Sequence, residues 1–264
     1  MSLGRVLEDL QELTERLRRE CPWDREQTAR TIVPHTVEEA YEVADAAVAG
    51  DDAKLAGELG DLLFQVYFLA LLLSEKGLTD LETIAGDVHA KLVRRHPHVF
   101  GDAEARTAGR VRERWEQIKT ELEGRAGIFH DVPESLPALI FARKVQKRAA
   151  AVNFEYPDTA GAVVDLDDEL RELREALAEA GETRPETEAD PRVFEELGDV
   201  LFAAVNVARR LNVDPELALR AMTRRFMERV ERAEAFAAEE GKVFTELPLD
   251  EQDRYFDRAK VAFE

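Results

Sequence analysis

Two segments of this chain carry the same pair of acids inside an otherwise apolar run. Residues 58–70 read Glu-Leu-Gly-Asp-Leu-Leu-Phe-Gln-Val-Tyr-Phe-Leu-Ala, and residues 196–208 read Glu-Leu-Gly-Asp-Val-Leu-Phe-Ala-Ala-Val-Asn-Val-Ala. On a helix, Glu58 and Asp61 share one face, as do Glu196 and Asp199, because residues three apart are neighbours. Carboxylates beside a packed apolar stripe are costly unless a cation neutralises them. A second pair precedes each copy: Glu39-x-x-Glu42 in the first half and Glu169-x-x-Glu172 in the second. Antiparallel packing of the two helices in each half brings four carboxylates to one seam. An all-oxygen set favours hard cations, Mg²⁺ or Mn²⁺, and Mg²⁺ commonly binds substrate phosphate as well. Two close metals would activate water and stabilise a leaving oxygen.

Other candidates follow in the same order in both halves. A basic helix carries Lys91, Arg94 and Arg95, then Arg224, Arg225 and Arg229, which can hold phosphate oxygens. An aromatic and a lysine close each half: Trp115 with Lys119, and Phe256 with Lys260. Each element also has a plainer reading. Among 56 acids, a single Glu-x-x-Glu is ordinary surface. Thr36 and Glu39 fit a helix-capping box, and Trp115 and Phe256 fit a core. The Glu-Leu-Gly-Asp segments resist such readings, because the same charged pair heads an apolar helix twice. His96 and His98 flank Pro97 in a loop and lack a second copy. Cys21 has no paired His or acid motif that would make it a nucleophile.

The elements that must position these residues are helices. Ala, Glu, Leu and Arg dominate, with only 14 Gly and 10 Pro in 264 residues. Leu3, Leu7, Leu10, Leu13 and Leu17 recur at helical spacing, predicting a helix over 3–19 that Cys21-Pro22-Trp23-Asp24 breaks. A second helix is expected from near Thr36, after Pro34, to Ala49, with Gly50-Asp51-Asp52 as the turn. Further helices are expected over 53–75, 79–94, 107–123, 138–151, 160–180, 192–211, 214–240 and 249–262. Residues 96–101 read as a loop, and no alternating strand pattern stands out. Residues 126–137 read as a linker between domains spanning 1–125 and 138–264.

Net charge is −20, a surface that repels nucleic acid but leaves room for a phosphate bridged by metal. One cysteine excludes an intramolecular disulfide and a multi-cysteine zinc site, which suits a reducing cytoplasm. The apolar run Leu62–Leu73 is shorter than a membrane span needs, and the amino terminus has no signal-peptide core.

The chain resembles the MazG family of nucleoside triphosphate pyrophosphohydrolases, over nearly its whole length. The resemblance rests on Cys21-Pro22-Trp23-Asp24 with Gln27-Thr28, on Thr36-x-Glu38-Glu39-x-Tyr41-Glu42, and on Gly57-Glu58-Leu59-Gly60-Asp61. It extends to Arg94-Arg95-His96-Pro97-His98, to Trp115-Glu116-Gln117-Ile118-Lys119 and to Lys144-Val145-Gln146-Lys147-Arg148. It implies tandem all-α domains, four-helix-bundle cores formed in a homodimer, and Mg²⁺-dependent cleavage of nucleoside triphosphates to monophosphate and pyrophosphate. It also implies metal ligands at Glu39, Glu42, Glu58 and Asp61, and at Glu169, Glu172, Glu196 and Asp199. Triphosphate contacts would come from Lys91, Arg94 and Arg95, or from Arg225 and Arg229, with Trp115 or Phe256 on the base side. Phe256 stands where relatives usually carry Trp, Thr223 where Asn is usual, and Asn153 where Gly is usual.

On this reading water attacks at the α-phosphorus, with Glu38 or Glu172 as candidate proton acceptors. The alternatives are a phosphatase acting on a nucleotide terminus, and a non-catalytic nucleotide sensor or helical scaffold.

Overall fold

Leu-, Ala- and Glu-rich segments punctuated by good capping residues fold here as helices alone; among the described residues there is no strand. In this computed structural model the described residues are 2–101, 127–130, 132–181 and 189–262. Cα proximity divides the chain into two units, Met1–Arg125 and Ala126–Glu264.

The first unit begins with α1 (Leu3–Glu20), capped by Ser2, and the short α2 (Pro22–Glu26). The segment expected only to break α1 thus starts a helix of its own, because Pro22 sits at its first turn, where a missing N–H costs nothing. Next come α3 (Ala29–Ala49), α4 (Asp52–Glu75), α5 (Leu81–Arg95) and α6 (Pro97–Phe100). The start of α3 differs most from expectation. Thr28 and Thr31 form a reciprocal capping box, and Pro34 lies inside the helix rather than before it. Two satisfied end donors favour the earlier start, against the one internal hydrogen bond that proline forfeits. Thr36 is therefore mid-helix, and its hydroxyl donates to the Ile32 carbonyl at 3.4 Å instead of capping. Residues 97–100 form a helical turn where a loop was expected, again opened by proline. The helix expected over 107–123 lies outside the described residues, together with Trp115 and Lys119.

Ile32, Phe68 and Leu72 form the core where α3 meets α4, with Ala29, Phe64 and Leu69 against them. By length and composition α4 could cross a membrane, although it buries Gln65, Tyr67, Phe68, Ala70 and Leu72 inside this unit.

The second unit contains α7 (Ala138–Ala150), α8 (Thr159–Ala180), α9 (Pro191–Arg210) and α10 (Pro215–Glu239). A 3₁₀ turn (Phe244–Glu246) and α11 (Leu249–Ala262) follow. Small buried residues, Ala162 and Ala176 on α8 and Ala203 on α9, accompany the α8–α9 pairing. Ala233, Phe236 and Ala237 on α10 pack against Tyr255 and Ala259 on α11.

Candidate functional site

The α3–α4 hairpin sets the first acidic site by symmetry about its turn. Gly50 takes the left-handed conformation (φ 70°) that closes α3, and Asp51 caps α4 by accepting from the Lys54 amide. Glu39 lies eleven residues before Gly50 and Asp61 eleven after it; Glu42 and Glu58 lie eight residues to either side. An antiparallel pair of helices therefore sets Glu39 opposite Asp61 and Glu42 opposite Glu58.

The side chains follow that register. Carboxylate oxygens of Glu39, Glu58 and Asp61 all lie within 4.8 Å of one another. Glu42 shares a hydrogen bond with Glu58 and so adjoins the triplet. Burial first, then the charges of Asp61, Glu42 and Glu38, hold the Glu39 carboxyl above its ordinary range, while His35 eases it. Glu58 is raised in the same direction, by burial and then by its hydrogen bond to Glu42. Glu38 is exposed and faces outward to His35 Nδ1, 3.7 Å away.

The second unit repeats the arrangement across a longer connection. Oxygens of Glu169, Glu196 and Asp199 also lie within 4.8 Å of one another. Burial, then Asp199, Glu172, Asp165 and Glu196, raise the Glu169 carboxyl. Glu172 turns toward Arg171, whose Nη2 donates to it at 3.2 Å.

Sequence reasoning missed one feature that both units share. Lys54 Nζ stands 3.8 Å from Glu58, and Arg192 Nε stands 3.5 Å from Glu196. Each cation sits one turn before an enclosed acid of its triplet; the Glu58 and Glu196 side chains are only 13% and 15% exposed. Arg192 is also paired with Glu179. The i, i+4 spacing of Lys54 to Glu58 and of Arg192 to Glu196 was the available signal.

The remaining candidates are placed as follows. Lys91 and Arg94 are exposed near the end of α5, and Arg95 is half-buried there. Arg225 is exposed and Arg229 half-buried on α10, with Arg225 against the Met222 sulfur. Phe256 packs beside Phe226 (centroids 5.6 Å apart), with Lys260 over its ring at 4.9 Å.

The chain that carries these clustered carboxylates has relatives among known proteins. The nucleoside triphosphate pyrophosphohydrolase/pyrophosphatase MazG of Thermotoga maritima is 38% identical over 97% of this chain and 96% of its own length. The chain belongs to the MazG family. The sequence profile of the MazG nucleotide pyrophosphohydrolase domain matches residues 27–100, which span α3, the acidic hairpin and α5. The nucleoside triphosphate pyrophosphohydrolase of Escherichia coli K12 is 42% identical over 91% of this chain and 90% of its own. That of Mycolicibacterium smegmatis is 32% identical over 70% of this chain and 60% of its own. Within this MazG chain each acidic triplet, Glu39/Glu58/Asp61 and Glu169/Glu196/Asp199, is assembled on its own helical hairpin.

The donor set fits a divalent metal. Every ligand atom is a carboxylate oxygen, and the raised Glu39 and Glu169 carboxyls indicate negative charge in excess of local neutralisation.

Proposed function

We propose that the chain is a Mg²⁺-dependent nucleoside triphosphate pyrophosphohydrolase, converting ribo- or deoxyribonucleoside triphosphate and water to monophosphate and diphosphate. The observation that carries this reading is the paired acid triplets, each within 4.8 Å, in a chain whose relatives are named for that activity. Glu39, Glu58 and Asp61 would hold the metal in the first unit, with Glu42 alongside; Glu169, Glu196 and Asp199 would do so in the second, with Glu172 alongside. Mn²⁺ is an expected substitute, since it accepts the same oxygen ligands. When bound, the metal supplies charge neutralisation at the phosphates and a more acidic water.

The chain's own groups do the rest. Glu42, beside Glu58, adds its charge to the cluster and helps to raise the Glu58 carboxyl. Lys54 and Arg192 neutralise the enclosed glutamate of each triplet. Glu38 stands outside the first triplet and can take up a proton from the attacking water, the role Glu172 would have in the second unit. Lys91, Arg94 and Arg95, and Arg225 and Arg229, supply positive charge downstream for the triphosphate. Lys119 and the base-side aromatics Trp115 and Phe256 complete the nucleotide contacts.

The reading includes domains at 1–125 and 138–264 joined by 126–137, and a homodimer. Leu59, Leu63 and Val66 leave an apolar stripe on α4, 50%, 39% and 42% exposed, and Leu197 and Leu201 leave another on α9, 47% and 53% exposed. Packing two hairpins face to face buries such stripes in a four-helix bundle. A cytoplasmic role in clearing the nucleotide pool, away from membrane and nucleic acid, fits the charge of −20 and the lone cysteine.

The test is the identity of the released phosphate. Diphosphate that yields orthophosphate only after added inorganic pyrophosphatase supports the reading. Direct release of orthophosphate would place the cleavage at the nucleotide terminus and refute it. Nucleotide binding without turnover would indicate a sensor instead.

A further inference from the structure

The Cys21-Pro22-Trp23-Asp24 segment contributes no acid to the triplets, yet its backbone is held tightly. Arg18 donates from Nη1 to the carbonyls of Asp24 and Gln27, at 2.5 and 3.0 Å. The same guanidinium meets both oxygens of Glu75, at 2.8 and 2.9 Å. The Gln27 amide donates to the Trp23 carbonyl at 3.0 Å, and Asp24 is buried. All this fixes a residue whose side chain is left in the open, for Trp23 is 53% exposed. Its ring and that of His35 meet in a T-shaped contact, with centroids 5.9 Å apart and planes at 66°. His35 lies one helical turn before Glu39 on α3, about 5.4 Å along the axis.

The second unit repeats the placement with different chemistry. Tyr156, from the segment before α8, donates its hydroxyl to Asp165 at 2.6 Å. Asp165 lies one turn before Glu169, as His35 does before Glu39. Arginines anchor that segment too: Arg209 to Glu155, and Arg210 to the Tyr156 carbonyl at 3.1 Å. In both units an anchored aromatic touches the residue one turn outside the acid triplet. In the second its polar end is committed to Asp165; in the first more than half of the residue stays exposed.

We propose that Trp23 is the stacking surface for the nucleobase of the nucleotide whose phosphates meet Glu39, Glu58 and Asp61. The inference rests on the function proposed above and names a specificity contact within that site. With the phosphates among the carboxylates, a base reaching past His35 would meet the exposed Trp23 ring. Stacking on an indole tolerates every base, and the larger purines gain most. An anchored backbone removes the ordering cost that a mobile tryptophan would add on binding.

The experiment uses the full chain with Trp23→Ala and Trp23→Phe, each in a Glu196→Gln background so that turnover reports the first site. Trp23→Ala is expected to raise KM for adenosine triphosphate roughly five- to one-hundred-fold, the range base stacking supplies. Its effect on kcat should be small, and Trp23→Phe should recover much of the loss. Inhibition by inorganic tripolyphosphate, which has no base, should be unchanged. Emission provides a readout independent of turnover: the chain has two tryptophans, so the part of the signal that Trp23→Phe removes belongs to Trp23, with Trp115 left in place. Adenosine triphosphate with Mg²⁺ should quench that emission, and tripolyphosphate with Mg²⁺ should not. An unchanged KM in Trp23→Ala, equal loss of tripolyphosphate binding, or unquenched emission overturns the inference. A wild-type chain that releases no diphosphate would instead sink the proposed function, and the emission titration would still decide whether a base reaches Trp23.

Discussion

Replacing Asp199 with asparagine is expected to stabilise the metal-free protein while removing its response to Mg²⁺. The oxygens of Glu169, Glu196 and Asp199 lie within 4.8 Å of one another. At that separation two unit charges repel by about 0.9 kcal/mol in a water-like dielectric, and by about 3.5 kcal/mol at an effective value of 20. Asp199 is exposed, which favours the lower figure. Arg192 already offsets part of the charge on Glu196. The net gain for Asp199→Asn should therefore be about 1 kcal/mol at pH 8, or roughly 2–5 °C in Tm. The assay is thermal unfolding in EDTA and in Mg²⁺, at pH 8 and at pH 4. In EDTA at pH 8 the variant should melt above wild type. At pH 4, where acids begin to lose their charge, the difference should narrow. Mg²⁺ should raise the wild-type Tm by linkage and leave the variant nearly unmoved. A variant that melts at or below wild type in EDTA at pH 8 would refute the idea that these acids are held together against their own repulsion. A variant that keeps the full Mg²⁺ response would refute the ligand assignment.

Other expectations concern the first unit. Because the Glu39 carboxyl is raised in the folded state, its contribution is present below its ordinary value of 4.5 and lost as pH climbs through the elevated one. Stability in EDTA should thus fall with rising pH across that window, and Glu39→Gln should flatten the fall; an unchanged slope would count against the assignment. Gly50→Ala forces a side chain into the left-handed region with nothing within 4 Å to clash, so backbone strain alone should cost about 1 kcal/mol in denaturant melts. Arg18→Met removes the bidentate contact to Glu75 and strips two carbonyls of their donor, for an expected loss of about 2–3 kcal/mol by the same measurement. Pro34→Ala restores an internal hydrogen bond to α3 and should raise Tm, which a lower value would contradict.

The acidic hairpins were legible because two independent regularities converge on them. Glu39-x-x-Glu42 and Glu58-x-x-Asp61 each define a helix face, and the Gly50 turn fixes their register by counting alone. The helical fold was legible for the same reason: composition and spacing agree over most of the chain. What was not legible depended on competition between local signals. Pro34 is a strong stop signal, but the Thr28–Thr31 capping box outweighs it, and no single-residue rule ranks those two. The roles of Lys54 and Arg192 were hidden by abundance, since an i, i+4 acid–base pair on an exposed helix ordinarily contributes little. Only the enclosure of Glu58 and Glu196, which no spacing reveals, separates these two pairs from the surface pairs around them. The same holds for Trp23. Its motif was visible, but the contrast between a clamped backbone and an open indole exists only in three dimensions, and that contrast distinguishes a surface built to receive a ring from a core residue at the edge of a helix.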